Sequence, residues 1–380
     1  MIMTADRFIA GKLRFKGRMA TIAIAVSFFV IIISVSISSG FKKEIGKGLS
    51  ELAGDLQLFE SFDGRYSSQE AMVADEDLLA EISSLPQVRE TVPVIYRPAI
   101  IKAGDSLHGV LFKGVPSSDS TALSAEIPVR LSEIMGLSEG DTMLSYFVGE
   151  KVKARKFKVT RVYDALVDAS DKLVVKVGID DLRRLNGWDA GECSLLEVNL
   201  VSGASDTGGM RRAADELAAG TGLICLPLQE RYPNLYDWLA LIDSNVLAIL
   251  VLMTIVAGFN MISGLLIMLF RSTSTIGVLK TMGMRDSMIA SLFLRLSARA
   301  AALGMLAGNV LALLFCLVQG TTKLIRLNPV NYFVSFVPVS VNIPMILLSD
   351  AVAFAAILLL MLIPTLFISG VDPARTVRVR

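Results

Sequence analysis

The sequence has few of the residues from which catalytic and metal centres are built: one histidine and three cysteines in 380 residues. The three cysteines, Cys193, Cys225 and Cys316, show no CxxC spacing, which excludes a zinc ribbon and a dithiol redox motif. The aspartates and glutamates are scattered and form no cluster with His108, which we interpret as a surface residue beside a turn. We therefore predict neither a catalytic site nor a metal site.

Two further absences narrow the function. The formal net charge is only +1, which gives no reason to expect nucleic acid as a partner. No GxxxxGK[ST] motif is present, so the chain has no phosphate-binding loop of its own. Cys193 and Cys225 would form a disulfide in an oxidising compartment, but we favour two buried free thiols.

Charge is also missing from four long stretches, and 53% of all residues are hydrophobic. About 20 apolar residues, at about 1.5 Å per helical residue, cross a hydrocarbon core of about 30 Å. We therefore predict four transmembrane helices, the last from about Pro344 to Ser369. The stretches are Thr21–Phe41, Ser244–Phe270, Ala300–Thr322 and Leu327–Val371, the last with Asp350 as its one charge.

These spans divide the chain into three parts. Met1–Phe41 is a basic leader with the first span, Lys42–Asp243 is a charged region of mixed pattern, and Ser244–Arg380 holds the other three spans. The middle part is long enough for a core of its own, and its short apolar runs alternate between strand and helix periods. The fold class is thus a membrane protein with four helices and a large α+β domain inserted between the first two.

Within the middle part, individual elements can be predicted. Strands are expected at Leu56–Phe59, Val92–Lys102, Leu107–Gly114, Lys151–Tyr163, Leu173–Val177, Leu195–Val201 and Leu223–Leu226, and helices at Asp75–Leu85, Asp180–Asn186 and Gly209–Ala219. The first span is expected to continue as a helix past Phe41, with Gly46, Gly48 and Gly54 loosening it. Leu228–Asp243 is predicted to be a helix that leads into the second span.

Basic residues flank the first and last spans, which places both ends in the cytoplasm and the α+β domain outside. They are Arg7, Lys12, Arg14, Lys16 and Arg18 at one end and Arg375, Arg378 and Arg380 at the other. A cleaved signal peptide over Met1–Gly40 is the alternative, but its apolar run exceeds the usual 7–15 residues. In the last span, Asp350 is a candidate functional carboxylate. We favour a structural role because it lies near the outer end.

Phe270–Met284 joins the second and third spans, and its basic residues place it in the cytoplasm. Ile276, Leu279 and Gly283 recur at helical spacing, whereas Lys280 and Thr281 fall away from that face. One interpretation is an ordinary loop at the headgroups. The other is a short helix, over 275–285, that passes force from a soluble partner into the membrane.

Several motifs resemble those of lipoprotein-releasing permeases of the LolC/LolE type, within the FtsX/MacB superfamily of ABC-transporter permeases. They cover nearly the whole chain: Gly40-Phe41-Lys42-Lys43-Glu44-Ile45 after the first span, Asn234-Leu235-Tyr236-Asp237-Trp238-Leu239 and Phe259-Asn260-Met261-Ile262-Ser263 around the second, Leu279-Lys280-Thr281-Met282-Gly283, the outer loop Asn328–Val339, and Asp372-Pro373-Ala374. The sequence departs from the family at Ser272–Thr275, where an acidic residue is usual.

The resemblance implies a permease subunit in the bacterial inner membrane, with its large domain in the periplasm and no cofactor of its own. Two copies of a separate ATPase would hold ATP and magnesium and dock on the coupling helix, here Thr275, Ile276, Val278, Leu279, Lys280, Thr281, Met282, Gly283 and Met284. A second permease chain, identical or related, would complete a cavity for lipoproteins at the interface of helices 1 and 2. Its candidate lining is Ser36, Phe41, Val256, Phe259, Asn260 and Met261.

The resemblance also implies partners on the outer side: membrane lipid and a periplasmic carrier that receives the lipoprotein. Three other functions are compatible with parts of the sequence. A MacB-type exporter usually carries a fused ATPase, which is absent here. An FtsX-type regulator of a cell-wall hydrolase usually has a smaller outer domain, and a membrane-anchored enzyme would need an active-site cluster that we do not find.

Overall fold

The computed structural model describes residues 18–61, 71–103, 106–116, 122–149, 152–164, 173–201, 203, 207–328 and 332–365. The predicted basic leader and the C-terminal Asp372-Pro373-Ala374 lie outside these residues. The chain forms two compact units. The helical unit comprises Met1–Phe41, Leu239–Ile325 and Val337–Arg380, and the sheet unit comprises Lys42–Trp238 and Arg326–Phe336.

The described residues form eleven helices and eleven strands. The helices are α1 (Arg18–Ala53), α2 (Glu76–Ser84), α3 (Val129–Met135), α4 (Ile179–Asn186), α5 (Thr207–Thr221), α6 (Leu228–Arg231), α7 (Pro233–Arg271), α8 (Thr273–Thr281), α9 (Asp286–Thr322), α10 (Ile343–Leu360) and α11 (Leu362–Thr365). The strands are β1 (Leu56–Phe59), β2 (Met72–Val73), β3 (Val88–Ala103), β4 (Ser106–Val115), β5 (Ser124–Pro128), β6 (Thr142–Phe147), β7 (Lys153–Tyr163), β8 (Leu173–Gly178), β9 (Glu192–Cys193), β10 (Leu195–Leu200) and β11 (Ile224–Pro227).

Four helical segments of the described chain are long and apolar enough to cross a membrane, which confirms the four predicted spans. They are Met19–Ala53, Pro233–Arg271, Asp286–Thr322 and Ile343–Thr365. The last differs from prediction because regular helix stops at Leu360 and resumes at Leu362. Pro364 explains this break, since it has no N–H for the carbonyl four residues earlier.

The helical unit packs around α1, and α9 approaches this helix closely. A Cβ added at Gly304 would lie 2.7 Å from the carbonyl oxygen of Thr21, and one at Gly308 would lie closer still to that of Ala25. Small residues four apart let two helix backbones touch, which maximises dispersion contact where the surrounding lipid removes the hydrophobic driving force. Ile24 and Phe28 of α1 fill the same contact and are fully buried.

A second close approach joins α7 and α10. A Cβ on Gly258 would overlap a side-chain methyl of Leu360, so Gly258 provides the space that this leucine occupies. The neighbouring residues Ala257 and Met261 are fully buried in the same apolar cluster as Ile357. Four long helices and α8 thus share one core.

Residues 325–327 pair with residues 335–337 as a short hairpin that overlaps the Asn328–Val339 motif. The amide of Val337 donates to the carbonyl of Ile325 at 3.0 Å. Gln319, at the end of α9 and 2% exposed, donates its side-chain amide to the carbonyls of both residues and accepts from the amide of Ile325. A Cβ on Gly40 would overlap the carbonyl oxygen of Pro338, so the segment leaving the hairpin lies directly against α1.

The sheet unit is built on one nine-stranded sheet that closes on itself. The strand order is β11-β1-β10-β3-β4-β8-β5-β7-β6, and β6 pairs back with β3, so six strands form a closed barrel. Most neighbours are antiparallel, whereas β4–β8 and β5–β7 are parallel. Phe112, Phe147 and Phe157 fill the barrel, with ring centres 4.9–6.2 Å apart.

Strand β3 makes this arrangement possible because it belongs to both halves of the sheet. Its first part pairs with β10, in register from Leu195↔Val94 onwards, and its second part pairs with β4 and β6. Closing the barrel removes the free edges at which exposed strands aggregate. The β3–β6 pairing, Ala99↔Phe147, joins residues far apart in sequence, and we did not predict it.

Three other predictions are wrong in their details. The helix does not loosen at Gly46 or Gly48 but continues to Ala53, because Ile45 and Leu49 are fully buried and hold it by packing. Leu228–Asp243 is not one helix: α6 ends at Arg231 and Pro233 starts α7, since proline disfavours a helical residue before it. The elements β2, β5, α3, β6 and β9 were not predicted.

Cys193 and Cys225 are free thiols in the structure, as we favoured. Burial raises the pKa of each to about 12. For Cys225, the nearby carboxylates Asp215 and Glu230 raise its pKa further. Both side chains therefore stay protonated, and weakly nucleophilic, at neutral pH.

We expect neither Cys193 nor Cys225 to be alkylated by iodoacetamide in the folded protein at pH 8. Only about one thiol in ten thousand would be ionised at that pH. Both should react after denaturation, and peptide mass spectrometry can measure the two rates. Equal rates before and after denaturation would contradict this.

Substitution of Gly308 by alanine should lower the midpoint of thermal unfolding in detergent. The added Cβ would meet the Ala25 carbonyl and cost about 1–3 kcal/mol through overpacking. Gly320→Ala is the matched control on the same helix, because its Cβ would make only an ordinary contact of 3.6 Å with Val339. If the two variants unfold at the same temperature, α9 does not need glycine to approach α1.

Candidate functional site

The connection between the second and third long helices contains the helix that the sequence predicted as a force-transmitting element. It is a helix, α8, and it covers Thr273–Thr281 rather than 275–285. Its end is set by Gly283, whose φ of 83° lies in the left-handed region that glycine adopts without strain. Gly283 therefore lies beyond the helix and shares no face with Ile276, which corrects the predicted pattern.

One side of α8 is docked in the helical core. Ile276 is 1% exposed and belongs to the same apolar cluster as Leu269, Ile289 and Phe293. Gly277 is buried beside it, and Leu279 and Met284 pack at the edge of the cluster. The position of α8 is thus fixed by contacts with the ends of the two long helices that flank it.

Lys280 departs from the expectation that it points away from the packed side. Its side chain is only 11% exposed, and its amine lies 3.0 Å from the Asp286 carboxylate at the start of α9. The carboxylate also lies in the first turn of α9, where the helix dipole favours negative charge. This ion pair spans the turn after α8 and holds it against the next long helix.

The opposite side of α8 is exposed and partly apolar. Val278 is 49% and Met282 78% exposed, and Thr275 and Thr281 are also exposed. These residues recur at i, i+3, i+6 and i+7, so they form one continuous face, which we call the α8 outer face. An exposed apolar face next to docked residues is typical of a protein interaction surface.

The six residues predicted to line a cavity between helices 1 and 2 do not converge within one chain. Ser36 and Phe41 are buried in the second half of α1, where the Ser36 carbonyl accepts a hydrogen bond from the Ser340 amide. Met261 is buried in the helical core. Val256 and Phe259 lie on the opposite side of α7, 41% and 64% exposed.

Val256 and Phe259 belong to a larger apolar stripe along α7. Its members follow the helical repeat and are each more than 40% exposed: Leu247, Val251, Ile255, Val256, Phe259, Ile267 and Phe270. Asn260 is half-buried at its border. Helices α1 and α7 do meet at one point, where the Ser38 hydroxyl donates to the Asp243 carboxylate at 2.8 Å.

Asp350 is 6% exposed on α10 and accepts a hydrogen bond from the side-chain amide of Asn309 on α9, at 2.5 Å. The pair joins two long helices, in keeping with the structural role favoured from sequence. Among the described residues, no group of three or more histidine, cysteine, aspartate or glutamate side chains could hold a metal ion.

Comparison with known proteins identifies part of this architecture. Residues 247–373, which include most of α7 and all of α8, α9 and α10, match the family of the FtsX-like permease C-terminal domain. The match covers about a third of the chain.

Two curated relatives match almost from end to end. Both are named "Lipoprotein-releasing system transmembrane protein LolC" and come from Xylella fastidiosa, strains Temecula1 and 9a5c. They are 20% and 21% identical over 408 residues, covering 97% of this chain and 95% of each relative. The four helices of this chain that are long and apolar enough to cross a membrane lie within the matched length.

Solved structures were also compared. The periplasmic region of MacB from Actinobacillus actinomycetemcomitans aligns at 10% identity over 48% of this chain and 92% of its own, with a TM-score of 0.33. The extracellular domain of the transporter YknZ from Gram-positive bacteria aligns at 12% identity over 45% of this chain and 98% of its own, with a TM-score of 0.29.

Truncation of Ile276 should destabilise the helical unit, whereas the same change on the exposed face should not. Ile276→Ala removes a fully buried side chain and should cost about 2–5 kcal/mol. Val278→Ala, two positions along the same helix, is the control. Thermal unfolding of both variants in detergent measures the difference, and equal midpoints would contradict the docking of α8 through Ile276.

Proposed function

We propose that this chain is a permease subunit that extracts lipoproteins from the outer leaflet of the inner membrane and passes them to a periplasmic carrier. The observation that carries the proposal is the match to the LolC relatives over 97% of the chain. A match that runs through every span and the whole sheet unit supports a shared organisation, and with it a shared task.

The proposed orientation places both chain ends and α8 in the cytoplasm and the sheet unit in the periplasm. It is supported by the basic residues Arg271 and Arg285, which flank α8. In this orientation the α8 outer face is available to a soluble ATPase. The exposed side chains of Val278 and Met282 would contact the ATPase. The buried Ile276 would transmit movement of the ATPase to the helical core.

The proposed substrate surface is the apolar stripe of α7. Removing a lipid anchor from a bilayer costs about 0.8 kcal/mol per CH₂ group. The free energy of a release path that exposes whole acyl chains to water would therefore be too high. A second permease chain facing the stripe would enclose an apolar space between the two α7 helices. Phe259, the most exposed aromatic residue of the stripe's central part, would then contact the acyl chains.

The test is affinity purification of the tagged permease from its own membranes in mild detergent, followed by mass spectrometry of the retained proteins. We expect an ATPase, a second permease chain and acylated lipoproteins. An ATPase with a cell-wall hydrolase and no lipoprotein would replace the proposal by a regulatory function. Absence of any ATPase would overturn it.

A matched variant sharpens this result. Met282→Asp places a charge on the α8 outer face and should remove the ATPase from the purified material without lowering the unfolding temperature. Ser287→Asp is the control for added charge alone, because Ser287 is exposed in the first turn of α9, where negative charge is favourable, and lies outside the α8 outer face. Equal retention of the ATPase by Met282→Asp and the native protein would exclude this face as the docking surface.

A further inference from the structure

The last turn of α1 ends inside the sheet unit, where side chains of three strands reach its carbonyl groups. Lys113 of β4 donates its amine to the carbonyl oxygen of Leu52 at 2.5 Å. The hydroxyl of Tyr96, on β3, lies 3.4 Å from the same oxygen, and Gln57 of β1 donates to the carbonyl of Ala53 at 3.1 Å. The final carbonyls of a helix have no partner within it, so these donors complete its end.

Lys113 is also one half of a buried ion pair. Its side chain is 4% exposed and that of Glu197, on β10, is 7% exposed, with 2.7 Å between the amine and a carboxylate oxygen. The other carboxylate oxygen accepts from the Tyr96 hydroxyl at 2.6 Å. In six other ion pairs of the described residues, at least one side chain is more than a third exposed.

The chain leaves this network through a tight turn. Gly54 has a φ of 68°, and its amide donates to the carbonyl of Ser50 at 2.8 Å, which is the usual left-handed end of a helix. Asp55 follows, and its carboxylate accepts from the amide of Leu200 at 2.7 Å. Strand β1 begins at Leu56 and pairs on both sides, so helix and sheet are joined without a flexible segment.

Stability alone does not account for Lys113. Taking two charges out of water costs about as much as their attraction returns, so an apolar pair of similar size often folds equally well. An apolar side chain, however, has no positive charge and no donor for the negative end of a helix. Lys113 therefore fixes the position of the last turn of α1.

We propose that Lys113, held by Glu197, is a positioning residue that fixes the end of α1 to the sheet, and that lipoprotein release depends on this fixed end. This rests on the proposed function, in which ATP-driven movement of the spans releases lipoprotein on the periplasmic side. Helix α1 runs unbroken from Arg18 to Ala53, and its last turn is the part that Lys113 contacts.

The test compares two variants of the full chain, each carrying spin labels at Lys47 on α1 and Lys158 on β7, after the native cysteines are changed to alanine. Lys113→Met with Glu197→Gln removes the network without leaving an unpaired buried charge. Lys176→Met is the control, because Lys176 pairs in register with Lys113 on the next strand and has its amine over the ring of Tyr163.

The double variant should fold, with the circular dichroism spectrum of the native protein. The distribution of distances between its two spin labels should no longer be a single narrow peak. The control should keep that narrow peak. A narrow distance in the double variant, or equal broadening in both variants, would overturn the positioning role. This readout needs no substrate, so it stands apart from the proposed function.

A second readout uses the complex with its ATPase in liposomes. The double variant should release less lipoprotein for each ATP hydrolysed, with basal hydrolysis unchanged. Unchanged coupling despite a broadened distance would overturn the role in transport. Failure of the native complex to release any lipoprotein would instead count against the proposed function, while the label distances would still decide the role of Lys113.

Discussion

The helical unit depends on how closely two backbones can approach within an apolar environment. In a bilayer, burying apolar side chains gains little, so helices associate through close contact. Gly304 and Gly308 let α9 contact the carbonyl groups of α1. Gly258 makes room on α7 for the side chain of Leu360. The buried cluster around these contacts contains residues from all four long helices and from α8. Helix α8 is thereby packed into the same core as all four long helices.

Much of this fold could be predicted from local patterns. Uncharged runs located the four long apolar helices. Alternation located β7, whose Phe157 and Val159 are buried between charged neighbours. Barrel closure could not be predicted, because β3 pairs with β6 through residues that are distant in sequence. Local periodicity contains no information about such contacts.

The candidate site, too, could be predicted from the sequence only in part. The sequence correctly placed a helix between the second and third spans and put Ile276 on its packed side. It misplaced Gly283, whose backbone conformation ends the helix, and Lys280, which a neighbouring aspartate draws inward. On α7, Met261 lies about 200° around the helix from Phe259 at about 100° per residue. Helical geometry alone thus separates two residues that stand close together in the family motif.

The barrel of the sheet unit also has a consequence for the order in which the chain acquires structure. All six of its strands lie between Val88 and Gly178, an uninterrupted part of the chain. Strand β1, by contrast, comes first in sequence but is flanked in the sheet by β10 and β11, which come last. During synthesis the barrel can close before β10 and β11, the pairing partners of β1, have been made. The join between α1 and the sheet is therefore completed only after Pro227, when the second long helix is about to follow.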